Sequence, residues 1–263
     1  MARPACAAEP LRRGRRETEM AYVNEKAEAF ARSLRGKRVA FCGIGGSNLP
    51  LIKSFPAMGA RVTARDRRTR EQLGALAEEL EKLGVTLVLG NGYLGNLTED
   101  IIFRTPGMRY TLPELQDAQK RGCAVTSEME LFFDLCPCPI WAVTGSDGKT
   151  TTTTIVSEFL KAAGKRVHLG GNIGKPLLPE IGSIGPDDAA VVELSSFQLI
   201  SMRHSPETAV VTNLSPNHLL SRRRRAATCC FSAGRSPACA ARGFGRTAGL
   251  PFPKTGPTRR CCP

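Results

Sequence analysis

The sequence lacks the marks of several broad classes at once. No apolar run approaches the ~18–20 residues that a membrane-spanning helix needs. The N-terminal arginines are not followed by an apolar stretch, because Glu17 and Glu19 intervene, so a secretory signal is not expected. None of the ten cysteines stands in the Cys-x2-Cys spacing that lets one turn offer two thiolates to zinc. Cys136-Pro-Cys138 is one residue too close, and Cys229-Cys230 and Cys261-Cys262 are adjacent. A reducing, cytoplasmic setting is the resulting expectation.

Acidic residues are also missing from one end. Residues 219–263 hold ten Lys or Arg and no Asp or Glu, and residues 1–20 hold five Arg against three Glu. Removing these contributions from the net charge of +13 leaves residues 21–218 at +1. The basicity therefore belongs to the ends, and a charge-driven surface for nucleic acid is not expected over the body of the chain. Arg222 to Arg225 could contact phosphates, but Phe231, Phe244 and Phe252 are too scattered to form a stacking platform beside them.

What is present is an alternation. With 41% apolar residues the chain can fill one large or two ordinary cores. Residues 22–34 have helical spacing, 37–42 read as a strand meeting a glycine loop, 47–58 as helix and 60–65 as strand ending at Asp66. Helix is expected again at 70–83, 112–121 and 128–135, and strand at 85–89, 101–105 and 124–126. Strands alternating with helices across Gly/Pro turns imply a parallel sheet with helical crossovers. Cys136-Pro-Cys-Pro139 punctuates the pattern, since its prolines block both helix and central strand. A second α/β unit then starts with strand 140–144, loop 145–148 and helix 149–163, followed by strands at 166–169, 189–193 and 208–212. Beyond His218 no apolar periodicity survives.

The sharpest chemical signal is IWAVTGSDGKTT, residues 140–151. A strand that ends in a glycine loop and opens a helix aims backbone N–H groups and the helix dipole at one point, which suits a polyphosphate. Lys149 is placed to neutralise phosphate oxygens and Thr150 to offer a hydroxyl to Mg2+. The general phosphate-loop pattern separates its glycines by five in number, whereas Gly145 and Gly148 differ by three, so this is a shortened form. The N-terminal loop Cys42-Gly-Ile-Gly-Gly-Ser-Asn48 is a poor dinucleotide fingerprint, because Asn48 occupies the third glycine position.

The short loop Thr144-Gly-Ser-Asp-Gly-Lys-Thr-Thr151 resembles the ATP loop of the Mur ligase and folylpolyglutamate synthase superfamily. Gly171-Asn-Ile-Gly174, VVELSSFQL at 191–199 and Asn213-Leu-Ser-Pro-Asn-His218 resemble further motifs of the Mur branch, in particular of the members that add D-glutamate. The resemblance covers residues 21–218 and implies an α/β fold: an N-terminal Rossmann-like parallel-sheet domain at 20–138, followed by part of the central P-loop-type domain at 139–218. A leader at 1–19 and an aberrant tail at 219–263 flank them, with Met20 a candidate start.

The implied activity is ATP-dependent amide-bond formation in peptidoglycan synthesis. The carboxylate of UDP-N-acetylmuramoyl-L-alanine is phosphorylated by ATP with Mg2+, and the amine of D-glutamate attacks the acyl phosphate. By resemblance Thr144, Gly145, Ser146, Asp147, Gly148, Lys149, Thr150, Thr151 and Asn172 bind ATP, and Lys149, Glu193 and His218 carry the chemistry. Thr150, Glu193 and His218 hold metal. Ser47, Asp66, Arg68, Thr105, Ser195 and Gln198 line the sugar-nucleotide substrate. A monomer without membrane contact is expected.

The resemblance stops after His218. Leu220 stands where the family carries Asp, and the only later lysine is Lys254, so the carbamylated lysine expected there has no counterpart. The chain is therefore expected to be inactive in ligation. Two alternatives to the ligase reading stand: a non-catalytic nucleotide or UDP-sugar binding module, and a folylpolyglutamate synthase-like ligase, which the glycine-loop unit ahead of the ATP loop argues against. Residues 219–263 have the Arg/Ala/Gly/Pro/Cys bias of a GC-rich gene read in a shifted frame. DNA sequencing past the His218 codon should show ligase sequence resuming in another frame; an intact gene without it would overturn the frame-shift reading.

Overall fold

The computed structural model describes residues 22–215. The leader at 1–19, Met20, His218 and the tail at 219–263 lie outside the described residues.

The chain begins with helix α1 (Glu25–Ser33), capped by the Asn24 side chain on the Ala27 amide. Strands β1 (Arg38–Cys42), β2 (Arg61–Asp66), β3 (Thr86–Leu89), β4 (Ile101–Arg104) and β5 (Ala124–Thr126) then form one parallel sheet in the order β3-β2-β1-β4-β5. Its central strands are continuously apolar, as strands buried on both faces must be: Val39 to Cys42 are sealed from solvent. The crossovers are α2 (Leu49–Ser54), α3 (Arg70–Leu73), α4 (Ala75–Lys82) and α5 (Pro113–Lys120).

Two expected helices are divided. The segment at 47–58 is α-helical only over α2 and tightens into a 3-10 turn at Phe55–Met58, where Pro56 removes a donor. The segment at 70–83 breaks between α3 and α4 at Gly74, whose backbone leaves the helical region. Helical spacing persists through both breaks, which is why periodicity alone joined them.

Helix α6 (Glu128–Leu135) follows, and then a second parallel sheet of β6 (Ile140–Thr144), β7 (Val167–Gly171), β8 (Ala189–Glu193) and β9 (Thr208–Val211), ordered β7-β8-β6-β9. The expected strand at 166–169 begins one residue later and runs on to Gly171. Helix α7 (Lys149–Ala162) leads out of β6, and α8 (Ser196–Leu199) and a 3-10 turn at Leu178–Ser183 had no expectation attached. Both are shorter than two α-helical turns, too brief for a 3.6-residue period to register.

The two sheets share one core through α6, seven of whose eight residues are buried. Phe132 and Met129 join a cluster that contains Phe41 and Phe103 of the first sheet and Ala142, Ala190 and Val192 of the second. Phe41, Phe55 and Phe103 pack on one another with centroids 4.8–5.6 Å apart. Asn24 reaches across as well, donating to the carbonyls of Leu135 and Ile181.

Glu128 of α6 accepts the Leu178 amide at 2.9 Å, and burial pushes its carboxyl up to about 7 despite amide donation from Leu178 and Leu177. A carboxyl whose pKa is raised by folding favours the folded state below its unfolded value and loses that contribution as pH rises. Stability should therefore fall between pH 4.5 and about 7, by roughly 3 kcal/mol from this group alone. Glu128→Gln keeps the acceptor without the charge, and its denaturant midpoint should fall distinctly less than that of the wild type over that range.

Candidate functional site

Parallel sheets gather their loops at the carboxyl ends of the strands, and a crevice opens where neighbouring strands lead their crossovers in opposite directions. In the second sheet that point is β6, flanked by β8 and β9. Three segments meet there: the glycine loop after β6, Glu193 at the end of β8, and the chain leaving β9.

Glu193 is 2% exposed. One carboxylate oxygen accepts from the Thr150 hydroxyl at 2.8 Å and the other from the Asn172 amide at 2.9 Å. The Asn172 backbone N–H also donates to the Glu193 carbonyl at 2.8 Å. Gly171 makes this approach possible. Its φ is +102°, and a Cβ there would lie 2.3 Å from the Glu193 carbonyl oxygen. Thr150, Asn172 and Glu193 are thus gathered around one point.

Helix α7 opens at that point with Gly148 as its N-cap, and among the described residues no side chain caps it, so its first-turn amides lack a helical partner. Uncapped amides and the positive end of a 14-residue helix favour an anion. Lys149 folds its ammonium onto the Gly145 and Ser146 carbonyls at 2.9 and 2.8 Å, beside the same helix end.

The loop itself is held by a residue that sequence reasoning quoted without a role. Asn213, just past β9, accepts both the Ser146 and Asp147 amides on its side-chain oxygen at 3.0 Å. Thr212 donates to the Asp147 carbonyl at 2.6 Å, and Thr144 to the Leu194 carbonyl at 2.9 Å. Gly145 has φ +141°, and its missing side chain makes room for Thr212, whose hydroxyl would lie 2.1 Å from a Cβ. Asp147, Gly148 and Thr151 are exposed around this loop.

Ser195 and Gln198 engage each other. They form a reciprocal capping box on α8, with the Ser195 amide donating to the Gln198 side-chain oxygen at 2.9 Å. Gln198 is buried and Ser195 half-buried, immediately after Glu193.

A second constellation lies at the carboxyl ends of the first sheet, where β1 and β4 part. Asp66 accepts the Ile44 amide at 2.7 Å and is clasped by Arg68 through its backbone and guanidinium at 2.9–3.0 Å. Burial opposes its charge, but Arg68 and the Ile44 amide hold the carboxyl down at about 2. Arg68 also donates to the Ile44 carbonyl, so the pair fastens the loop at residues 43–48 to the end of β2. Ser47 is half-buried on that loop, and Thr105 closes on it from β4, its methyl 2.4 Å from where a Gly43 Cβ would be. Asn48 donates to the Gly43 carbonyl, bracing the turn from the position a third glycine would take.

Sequence reasoning missed two buried cations here. Arg65 is paired with Glu99 at 2.7 Å and donates to the Tyr93 and Gly95 carbonyls. Arg104 is the other. Their charge gave no sign of burial, because a paired arginine inside a strand reads like an exposed one.

The Glu193 carboxylate and the Thr150 hydroxyl are oxygen ligands of the kind that suit Mg2+, which is commonly held by one or two carboxylates with phosphates and water completing its shell. Among the described residues no three His, Cys, Asp or Glu side chains cluster as a self-sufficient metal cage. Also among them, no helix is long and apolar enough to cross a membrane.

Residues 143–221 match the Mur ligase middle domain. The sequence is 52% identical over 198 residues to the UDP-N-acetylmuramoylalanine–D-glutamate ligase of Acetivibrio thermocellus, an alignment that takes in 75% of this chain. The chain belongs to the Mur ligase family. A ligase of the same name from Clostridium botulinum is 52% identical over 191 residues, or 72% of this chain. The chain spans 42% of the length of each of these two relatives. A crystal structure of UDP-N-acetylmuramate:L-alanyl-gamma-D-glutamyl-meso-diaminopimelate ligase from Neisseria meningitides aligns with 76% of this chain and 68% of that one, at 18% identity and a TM-score of 0.49.

In this Mur ligase chain the Gly171–Glu193 contact is a sharp test of the site. Gly171→Ala should cost on the order of 3 kcal/mol, from backbone collision and a left-handed φ together. Gly164→Ala, which has φ +82° but open space, should cost about 1 kcal/mol. Thermal denaturation of the two variants checks the difference.

Proposed function

We propose that residues 139–218 bind Mg-ATP and residues 20–138 bind UDP-N-acetylmuramoyl-L-alanine, as parts of a ligase that adds D-glutamate to that substrate. The observation that carries the reading is the Thr150–Glu193–Asn172 cluster set against the uncapped start of α7. A carboxylate is a poor electrophile, and conversion to an acyl phosphate gives it a leaving group that an amine can displace. Bringing a triphosphate against a carboxylate concentrates negative charge, so the site must supply cations and N–H donors.

Each residue here has a task in that chemistry. The α7 amides and Lys149 would hold the phosphates, with Lys149 exchanging its loop carbonyls for phosphate oxygens. Thr150 and Glu193 would hold Mg2+, which when bound screens the charges that the reaction brings together. Asn172 would fix the Glu193 carboxylate in place and contact the nucleotide. Asp66 and Arg68 would shape the first loop for the uridine diphosphate, with Ser47 and Thr105 beside it, while Ser195 and Gln198 present the start of α8 to the muramoyl side. With these substrates the reaction would belong to cytoplasmic cell-wall synthesis. The names of the relatives at 52% identity support D-glutamate as the amine.

Over its 263 residues the chain is further proposed to bind these ligands without completing ligation, because Leu220 stands where the family pattern has Asp and no lysine lies between His218 and Lys254. Phosphate release dependent on both UDP-N-acetylmuramoyl-L-alanine and D-glutamate should be absent, and robust turnover would overturn this part. Calorimetry should detect Mg-ATP, and Glu193→Gln should weaken it on the order of 10-fold or more by removing charge from the metal-holding group while leaving the UDP-sugar affinity unchanged. Equal loss of both ligands would contradict the assignment of two separate sites.

A further inference from the structure

We propose that Arg104 is a positioning residue, which sets the turn at residues 105–108 against the glycine loop and ties that turn to Ser201 beyond α8. The inference rests on the reading of the first sheet as a sugar-nucleotide site.

Arg104 ends β4 and is 1% exposed, among the largest fully buried side chains of the described residues. Its two terminal nitrogens do different work. Nη1 donates to the Met108 carbonyl at 3.2 Å and reaches the Thr105 and Pro106 carbonyls at 3.5 Å, so one nitrogen gathers the turn from inside. Nη2 contacts Ser201 and, at 3.5 Å, Glu130 of α6, and the Ser201 hydroxyl donates to Glu130 in turn. The Tyr110 ring lies 5.9 Å from the guanidinium carbon. Arg104 therefore touches the first sheet, the central helix and the chain after α8 together.

An arginine keeps its charge when buried, so the position carries a desolvation cost that an apolar residue would avoid. Among the described residues the Arg104 Nε is buried with no hydrogen-bond partner, a further cost of roughly 1–3 kcal/mol. What the fork supplies in return is geometry that an apolar side chain lacks, since planar donors fix three carbonyls of one turn relative to Ser201. That turn includes Thr105, whose methyl closes on Gly43 of the glycine loop. The gap between turn and loop is the crevice at the switch point of the first sheet. Glu130 is the counter-charge: burial pushes its carboxyl up, and the Arg104 guanidinium pulls against that.

Arg104→Lys keeps the charge and removes the fork, while Ser201→Ala removes the Ser201 contacts to Arg104 and Glu130 and leaves the fork on the turn. Both are expected to fold. Hydrogen exchange at residues 105–110 in Arg104→Lys should quicken by about 10-fold, and affinity for UDP-N-acetylmuramoyl-L-alanine should fall by about 10-fold, with Mg-ATP within about 2-fold of wild type. Ser201→Ala should move the same two readouts in the same direction by about 3-fold, and it decides the matter should Arg104→Lys not fold. Wild-type exchange and wild-type sugar-nucleotide affinity in a folded variant would overturn the proposal. So would equal weakening of both ligands with a lowered melting temperature, the mark of a purely structural role. A wild-type chain that binds no sugar nucleotide would defeat the functional reading of the first sheet, and the exchange measurement would still decide whether Arg104 orders the turn.

Discussion

A helix enclosed on nearly every side cannot leave a carboxylate unanswered, and α6 carries two that are buried, Glu128 and Glu130. Everything around the helix is arranged to meet them. Glu128 takes the amide at the start of the Leu178–Ser183 turn, and Glu130 takes Ser201 and the Arg104 guanidinium. Those partners come from a strand of the first sheet and from two connections of the second, so answering the acids on one helix helps to fix how the sheets meet. Burying an acid without partners costs several kcal/mol, while the apolar area of Met129, Leu131 and Phe132 provides the drive to bury the helix at all. The polar pairs add little net stability and much orientation.

The parallel topology then determines where chemistry can occur. Both sheets are built from βα crossovers, so each delivers its glycine loop to the carboxyl end of a central strand, β1 in one and β6 in the other. The two loops are braced by different means. The first is fastened from outside by Asp66 and Arg68, whose mutual hydrogen bonds leave the Asp66 carboxylate little capacity for a ligand. The second is fastened from the far side of its strand by Asn213, and among the described residues no side chain caps α7.

How much of this was legible in the sequence depended on the range of the interaction. Strands such as Ile140–Thr144 and Ala189–Glu193 are runs of local pattern, and they lie where the pattern put them. The glycine loop ahead of Lys149 was legible because its requirements, small residues and then a helix, are written in consecutive positions. Breaks at Pro56 and Gly74 were weaker signals, since apolar spacing continues across them. Arg104 and Arg65 were invisible, because their partners lie 26 and 34 residues away and nothing local distinguishes a buried, paired arginine from an exposed one. Asn213 was visible only as part of a motif; that its oxygen bridges two amides 66 and 67 residues earlier is a fact of topology alone.

The Asn213 bridge bears on how tightly the second site can hold a phosphate. In many phosphate loops the anion itself orders the amides, so part of its binding energy is spent on the loop. Here the Ser146 and Asp147 amides share an acceptor within the chain, so Asn213 rather than the anion would order that part of the loop. The amides that remain are those of the first turn of α7, fixed by a helix that packs on β8 and needs no reordering. The cost in the proposed reading would fall on Lys149, which donates to two loop carbonyls and would give up those contacts to meet a phosphate oxygen. That exchange trades neutral hydrogen bonds for charge-assisted ones of about twice the strength, so it favours a ligand of high charge and gives a neutral one nothing. Under the proposed reading Lys149 would select a polyphosphate over an uncharged nucleoside, while Asn213 gives the loop its shape from within the chain.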